Sequence, residues 1–277
     1  MSELKKKIID HWTAIPIGTQ TTGFSASHEA FTREYFEEHS RFRYTRYAPW
    51  LSSVAGFDSR PGQHILEVGC GMGTDLLEYA TNGAVVIGLD LTPRHLELAR
   101  RRFQLFGQNG TFINGDAEQL SFRDNSFDFV FSNGVLHHTP DTQRAVDEIH
   151  RVLKPGREAL ILLYHRHSLH YYLRIILESG SKRFVRHLLN GKKLSDFSYA
   201  KVLSASTDGE LNPLTKVYSR QQGLALMHKF NDVRTEVYHL NRGDFLLSRF
   251  VPSSLLRRLS RTLGWYLVLR GTKGAMV

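Results

Sequence analysis

Ile65-Leu66-Glu67-Val68-Gly69-Cys70-Gly71-Met72-Gly73-Thr74-Asp75 is the stretch on which the reading of this chain turns. A short apolar run ends in three glycines at alternate positions, and a helical stretch starts beyond them. Glycine reaches backbone angles closed to other residues and lets a ligand approach the main chain. The first turn of the helix offers unpaired N–H groups. Dinucleotide-binding loops read G-x-G-x-x-G/A, the last small residue allowing close helix–strand packing. Here Thr74 occupies that place, and Glu67 stands two residues before the first glycine. A pyrophosphate has no use for an acid there, whereas a ligand carrying an ammonium group does.

Working outward, further apolar runs occur at Ala84 to Leu89, Thr111 to Ile113, Phe127 to Phe131 and Ala159 to Tyr164. Helical patterns at Asp75 to Ala80, Pro93 to Leu105 and Asp141 to Leu153 separate them. Strands alternating with helices imply right-handed βαβ units and a parallel sheet, and near-continuous apolar strands imply a sheet covered on both faces. Two more strands are expected at Val233 to Leu240 and Trp265 to Leu269, with a helix over Arg220 to Phe230 between the cap and the first of them. The expected fold class is α/β: a doubly wound, mostly parallel seven-stranded sheet with helical cap elements.

Four segments follow from the same pass. Residues 1–60 read as an N-terminal helical lid or arm, with an amphipathic helix over Glu29 to Tyr47 and loops at Pro16 to Gly18 and Thr19 to Gly23. Residues 61–165 read as the cofactor-binding core. Residues 166–219 read as a helical substrate-cap insertion, basic and aromatic. Residues 220–277 return to the core, with a helical insertion at about 241–263 whose helix starts near Pro252-Ser253.

Acids at successive strand ends suggest what the core holds. Asp90 lies 21 positions after Gly69, where a carboxylate accepts hydrogen bonds from ribose hydroxyls. Gly115-Asp116-Ala117 follows the third strand and can meet an adenine amino group. The residues alone fit either a nicotinamide dinucleotide or an adenosyl ligand.

The segment from about 60 to 165 resembles the class I S-adenosylmethionine-dependent methyltransferases. The matching motifs, in order, are Glu67 to Gly73, Gly88-Leu89-Asp90, Gly115-Asp116-Ala117-Glu118, Asn125 to Ser132, Leu136-His137-His138 and Arg151 to Gly156. The variant is similar to the group containing quinone-biosynthesis and other small-molecule methyltransferases. The resemblance implies a Rossmann-like methyltransferase fold and S-adenosylmethionine as cofactor, leaving as S-adenosylhomocysteine. It implies that Gly69, Cys70, Gly71 and Gly73 line the cofactor and that Glu67 orients the loop and the methionyl ammonium. Asp90 and Leu91 would meet the ribose, Asp116 and Ala117 the adenine, and Ser132 and Asn133 the methionyl part. Arg157 stands where the family usually has a second glycine.

Methyl transfer needs an acceptor in line with the methyl group and, for alcohols, phenols or protonated amines, a base. His137, His138, Tyr164 and His165 are the catalytic candidates, since they end the fourth and fifth strands near the expected methyl end. Tyr44 and Tyr47 are lid candidates against the cofactor. His165-Arg166-His167 has no carboxylate spaced with it, and no metal site is expected. The cap carries Tyr171, Tyr172, Phe184, Phe197 and Tyr199 among Arg174, Lys182, Arg183, Arg186, Lys192 and Lys193. Such a cap suits an apolar or aromatic small molecule, as in natural-product biosynthesis, with an O, N or C acceptor atom.

Composition sets the outer limits. The 277 residues are 41% hydrophobic and 23% charged, which excludes collagen, coiled-coil rods and disordered tails. One cysteine excludes an intramolecular disulfide. No apolar run approaches the roughly 18 residues of a membrane span, and the charged stretch Met1 to Asp10 lacks a signal peptide's apolar core, so a cytoplasmic protein is expected. Residues 1–150 carry 14 Lys+Arg against 19 Asp+Glu, a net −5, whereas residues 151–277 carry 22 against 8, a net +14. A basic half can serve nucleic acid, an anionic membrane surface or an anionic substrate.

That asymmetry motivates a second function, an RNA or protein methyltransferase. Against it, no RNA-binding module is appended, and Ser132-Asn133-Gly134-Val135 departs from the Asn/Asp-Pro-Pro-aromatic motif of base amino-group methylation. Nucleic acid is therefore not the expected partner. A third reading is a cofactor-binding scaffold without turnover. The intact Glu67, Gly69, Gly71, Asp90 and Asp116 speak against it. A homo-oligomer stays open.

Overall fold

The computed structural model describes residues 2–14, 24, 26–190, 197–209, 211–240 and 251–275. The loops expected at Pro16 to Gly18 and Thr19 to Gly23, the cap residues Lys192 and Lys193, and residues 241–250 of the last insertion lie outside them. An N-terminal helical arm contains α1 (Glu3–Ala14), α2 (Arg33–Phe42) and α3 (Leu51–Ala55), with a π-helical turn Arg43–Tyr47 continuing α2. Then come β1 (His64–Val68), α4 (Thr74–Thr81), β2 (Val85–Asp90), α5 (Pro93–Leu105), β3 (Thr111–Asn114) and β4 (Phe127–Asn133). A 3-10 turn Leu136–His138 leads to α6 (Thr142–Val152) and β5 (Leu153–Tyr164). The cap holds a π-helical segment His170–Gly180, α7 (Ser181–Leu189) and α8 (Tyr199–Ser206). The chain closes with α9 (Arg220–Leu226), β6 (Asn231–Tyr238), α10 (Ser253–Leu263) and β7 (Tyr266–Thr272).

The seven strands form one sheet in the order β3-β2-β1-β4-β5-β7-β6. Only β7 runs against its neighbours, pairing antiparallel with both β5 and β6. The strand order reverses between β1 and β4, the switch point where open α/β sheets bind ligands at the carboxyl ends of their strands.

Both sheet faces are buried, which is why the strands read as apolar runs. Along β5, Leu160 and Leu162 join a core with Ile65, Phe129 and Phe131. Ala159, Ile161 and Leu163 face the other way, onto Leu66, Val130 and Ile149. Helix α6 buries Ala145, Val146, Ile149 and Val152 at three- and four-residue steps. Its start is fixed by the Asp141 side chain, which accepts from the Arg144 N–H at 3.0 Å.

Several boundaries differ from the sequence reading. Strand β5 starts at Leu153, not Ala159, because Leu153 pairs with Phe127 and the chain stays extended through Pro155 and Gly156. Helix α2 starts only at Arg33, since Thr32 caps it by accepting from the Tyr35 N–H. Helix α9 stops at Leu226 instead of continuing to Phe230.

Candidate active site

The glycine loop after β1 is shaped by contact as well as by dihedral. Gly69 has φ +78°, and a Cβ there would lie 2.3 Å from Val135. The N–H groups of Gly69 and Cys70 both donate to the Leu89 carbonyl, at 2.7 and 3.0 Å, which ties the loop to β2. The Cys70 side chain turns into the core and meets Gly88, so at this position only the backbone faces the loop.

A cavity opens at the strand ends. Gly69 and Gly71 line it from β1, and Asp90, Leu91 and Thr92 from β2. Gly115, Asp116 and Ala117 follow from β3; Gly134, Val135 and His138 follow from β4. Its roof is α1, which contributes Lys5, Ile8 and Trp12.

Asp90 is an organiser of this cavity. One carboxylate oxygen accepts from the Gly71 N–H at 2.9 Å; the other accepts from the Thr92 N–H at 2.9 Å and lies 3.1 Å from His95 Nδ1. Asp116 and Glu118 both pair with Lys5 Nζ. Glu118 also accepts from the Thr139 hydroxyl and, at 2.7 Å, from the Asp141 N–H. Burial pushes the Glu118 carboxyl up, but Lys5 and these donors outweigh it and hold it below the ordinary carboxylate range.

Glu67 is 3% exposed, and its Oε2 has no hydrogen-bond partner. Burial, reinforced by Asp75, drives its pKa well up. An orphaned carboxylate oxygen at the start of a ligand-shaped loop fits a cationic group arriving there. Asp75, at the first turn of α4, is by contrast fully engaged. Arg43 donates to both its oxygens, at 2.8 and 2.6 Å, the Tyr44 hydroxyl at 2.7 Å and the Asn133 amide at 2.9 Å. Burial raises the Asp75 carboxyl, and Arg43 overcomes this, holding it below its usual value. Tyr44 and Asn133 therefore support the loop from behind. Ser132 is fully buried and donates to the Val68 carbonyl at 2.9 Å, and Gly73 caps α4 in a left-handed conformation. Tyr47 stands apart from the cavity lining, its hydroxyl 3.1 Å from that of Tyr266.

Of the four catalytic candidates, His138 lines the cavity. Its Nδ1 donates to the Leu214 carbonyl at 2.7 Å, and its Nε2 lies 3.3 Å from Asp208 Oδ2. The Tyr164 hydroxyl donates to the same Asp208 oxygen at 2.8 Å. Burial raises the Asp208 carboxyl, but His138 and Tyr164 outweigh it and hold it below the ordinary range. His137 packs against Tyr164 with 3.7 Å between ring centroids and the planes tilted by 35°; it is wholly buried, and burial drives its pKa well below the usual value. His165 lies 3.0 Å from the Gly264 carbonyl, away from the cavity, with its pKa lowered to about 4 by burial. It tethers the end of β5 to the turn before β7. Among the described residues no group of His, Cys, Asp and Glu is spaced to hold a metal.

Several residues here went unread in the sequence. Lys5 and Trp12 lie on a helix whose roof position depends on tertiary packing. Arg43 and Asp75 are 32 residues apart. Asp208 carried one sequence signal, the Asp208-Gly209 turn dipeptide, and it adopts φ +56° there.

Residues 66–161 match the family model described as a methyltransferase domain. The chain is 36% identical over 129 residues to a sterol 24-C-methyltransferase of Yarrowia lipolytica, covering 46% of this chain and 33% of that protein. It is 42% identical over 97 residues to a phthiotriol/phenolphthiotriol dimycocerosates methyltransferase of Mycobacterium leprae, covering 34% and 35%. The chain thus spans about a third of the length of these curated relatives. Among solved structures, it is similar to an S-adenosylmethionine-dependent methyltransferase of Thermotoga maritima, a possible histamine N-methyltransferase. The TM-score is 0.53 at 20% identity, over 86% of this chain and 94% of that one. A Haemonchus contortus phosphoethanolamine N-methyltransferase 2 in complex with S-adenosyl-L-methionine gives 0.56 at 18% identity, over 91% and 61%.

Proposed function

We propose that this chain, whose residues 66–161 match a methyltransferase domain, is a class I S-adenosylmethionine-dependent enzyme that methylates a small molecule. The single observation that carries this reading is the cavity at the switch point, with Asp90 and Asp116 at two strand ends in its lining and a buried Glu67 oxygen without a hydrogen-bond partner just before the glycine loop. S-adenosylmethionine supplies, when bound, an electrophilic methyl group on a sulfonium. Glu67 would hold the ammonium end, the Gly69 and Gly71 backbones the methionyl part, Asp90 the ribose and Asp116 the adenine. The relatives named for sterol and phthiotriol methylation support an apolar acceptor. A cytoplasmic location belongs to the same reading.

The chain's own residues supply the proton chemistry. With Nδ1–H donated to Leu214 and Nε2 facing Asp208 at 3.3 Å, His138 and Asp208 act as a pair: the acceptor's proton enters at the partly exposed carboxylate and rests between Oδ2 and Nε2. The ionised Asp208, 3.3 Å away, stabilises the imidazolium that forms. Tyr164 donates to Asp208 and fixes its orientation. Such a base suits a hydroxyl, a phenol, a protonated amine or a carbon acceptor that loses a proton after methylation. The test is a transfer assay with methyl-labelled cofactor on a panel of phenolic, hydroxylated, amine and terpenoid acceptors, with RNA alongside. Label in a small molecule is expected; label in RNA alone would overturn the reading.

A further inference from the structure

Ten large apolar side chains stand exposed among the described residues, and six lie in one stretch of the cap. They are Tyr172, Leu177, Val185, Leu188, Leu189 and Tyr199, with Leu189 82% exposed. Helix α7 is turned the wrong way for a soluble surface. Val185, Leu188 and Leu189 point outward, while Arg183 and His187 are half-buried beside Phe184, which packs edge-on against Phe197. A helix packed on a core normally shows the reverse. Three exposed large apolar side chains on one nine-residue helix mark an interaction site.

The surrounding charge selects the occupant. Lys182 and Arg186 are exposed on the same helix as the outward leucines. Beside it, Arg183, Arg186, His187 and Lys201 line a groove that also touches Phe197. A second copy of the chain would set these cations against their own counterparts. An anionic bilayer suits α7: Val185, Leu188 and Leu189 enter the acyl boundary, and Arg186 meets the phosphates together with Lys182, whose ammonium also pairs with Glu178 at 3.0 Å. No helix among the described residues is long and apolar enough to cross a membrane, so α7 would lie on the surface rather than span it.

We propose that the cap face built on α7 is a docking surface for anionic lipid bilayers. It stands independently of the methyl-transfer reading, because it needs neither cofactor nor acceptor. The test is co-sedimentation of the full chain with vesicles of phosphatidylcholine, alone or mixed with phosphatidylglycerol. Binding to the mixed vesicles, weakened by salt, is expected. Each basic residue near such a surface is worth about fivefold in affinity, so Lys182→Ala with Arg186→Ala should weaken binding ~25-fold. Leu188→Asp with Leu189→Asp should abolish it while circular dichroism and cofactor binding stay unchanged. Absence of binding to both vesicle types at low salt, or binding that neither double variant alters, would overturn the proposal. So would a dimer of the wild type that the leucine variants dissolve. Cofactor calorimetry on the same preparations keeps failure here distinct from failure of the methyltransferase reading.

Discussion

Asp208 shows what a single residue adds to this site. It reaches His138 and Tyr164 across 70 and 44 residues of chain, and it stays ionised because contacts with them outweigh the cost of burial. Asp208→Asn keeps the shape and removes the charge. A general base contributes about 10²- to 10⁴-fold, so kcat should fall ~100-fold in Asp208→Asn and at least as far in His138→Gln. Cofactor affinity should hold, and added alkali should recover part of the Asp208→Asn rate; loss of cofactor affinity in both would mean a structural role only. His39 gives a second residue-level prediction. It is buried, its Nδ1 is unpaired, and burial followed by Arg102 and Arg43 lowers its pKa from 6.5 to about 3. The unfolded chain binds that proton below pH 6.5 and the folded chain does not, so the stability this group supports is intact above 6.5. It is lost as pH falls toward about 3, at a slope of about 1.4 kcal/mol per pH unit. His39→Phe should flatten that part of a urea-denaturation pH series, and an unchanged slope would refute the assignment.

At the scale of elements, the N-terminal arm roofs the cavity at the strand ends through Lys5, Ile8 and Trp12. The π-helical turn after α2 places Arg43 and Tyr44 on Asp75, and Arg102, wholly buried, donates to the Phe36 carbonyl at 2.9 Å and the Ser40 hydroxyl at 2.7 Å. Arg43→Ala leaves Asp75 buried without its cation, and breaking such a pair costs about 3–5 kcal/mol. A fall in the melting midpoint together with loss of cofactor binding is expected; an unaffected midpoint would show that the latch is not structural. Trp12 of α1 lines the cavity roof and meets His138 edge-on at 5.4 Å. Trp12→Ala should weaken cofactor binding about tenfold through lost apolar contact, which calorimetry would read directly. The core strands and glycine loop were legible because their signals are local: apolar runs, alternate glycines, acids at strand ends. The arm's contacts were not, because Arg43–Asp75 and Arg102–Phe36 join segments far apart in sequence, where periodicity says nothing. Ser132 was read from its position in a motif, but its hydroxyl serves the seam between β1 and β4.

Across the whole molecule, the two charge halves correspond to different tasks. The acidic half, net −5, supplies the carboxylates around the glycine loop; the basic half, net +14, carries the cap and its exposed apolar face. The sheet joins them, with β5 ending at Tyr164 and the reversed β7 starting beside it, so that Trp265 and Tyr266 form an aromatic wall against Tyr164. The central claim is that the switch-point cavity takes an adenosyl ligand with a cationic amino-acid end. Titration calorimetry of the wild type and Glu67→Gln with S-adenosylmethionine, S-adenosylhomocysteine and NAD tests it most directly. The account predicts micromolar binding of both adenosyl ligands, at least tenfold weaker in Glu67→Gln, and none of NAD. Binding of NAD, or no binding of either adenosyl ligand to folded protein, would contradict it.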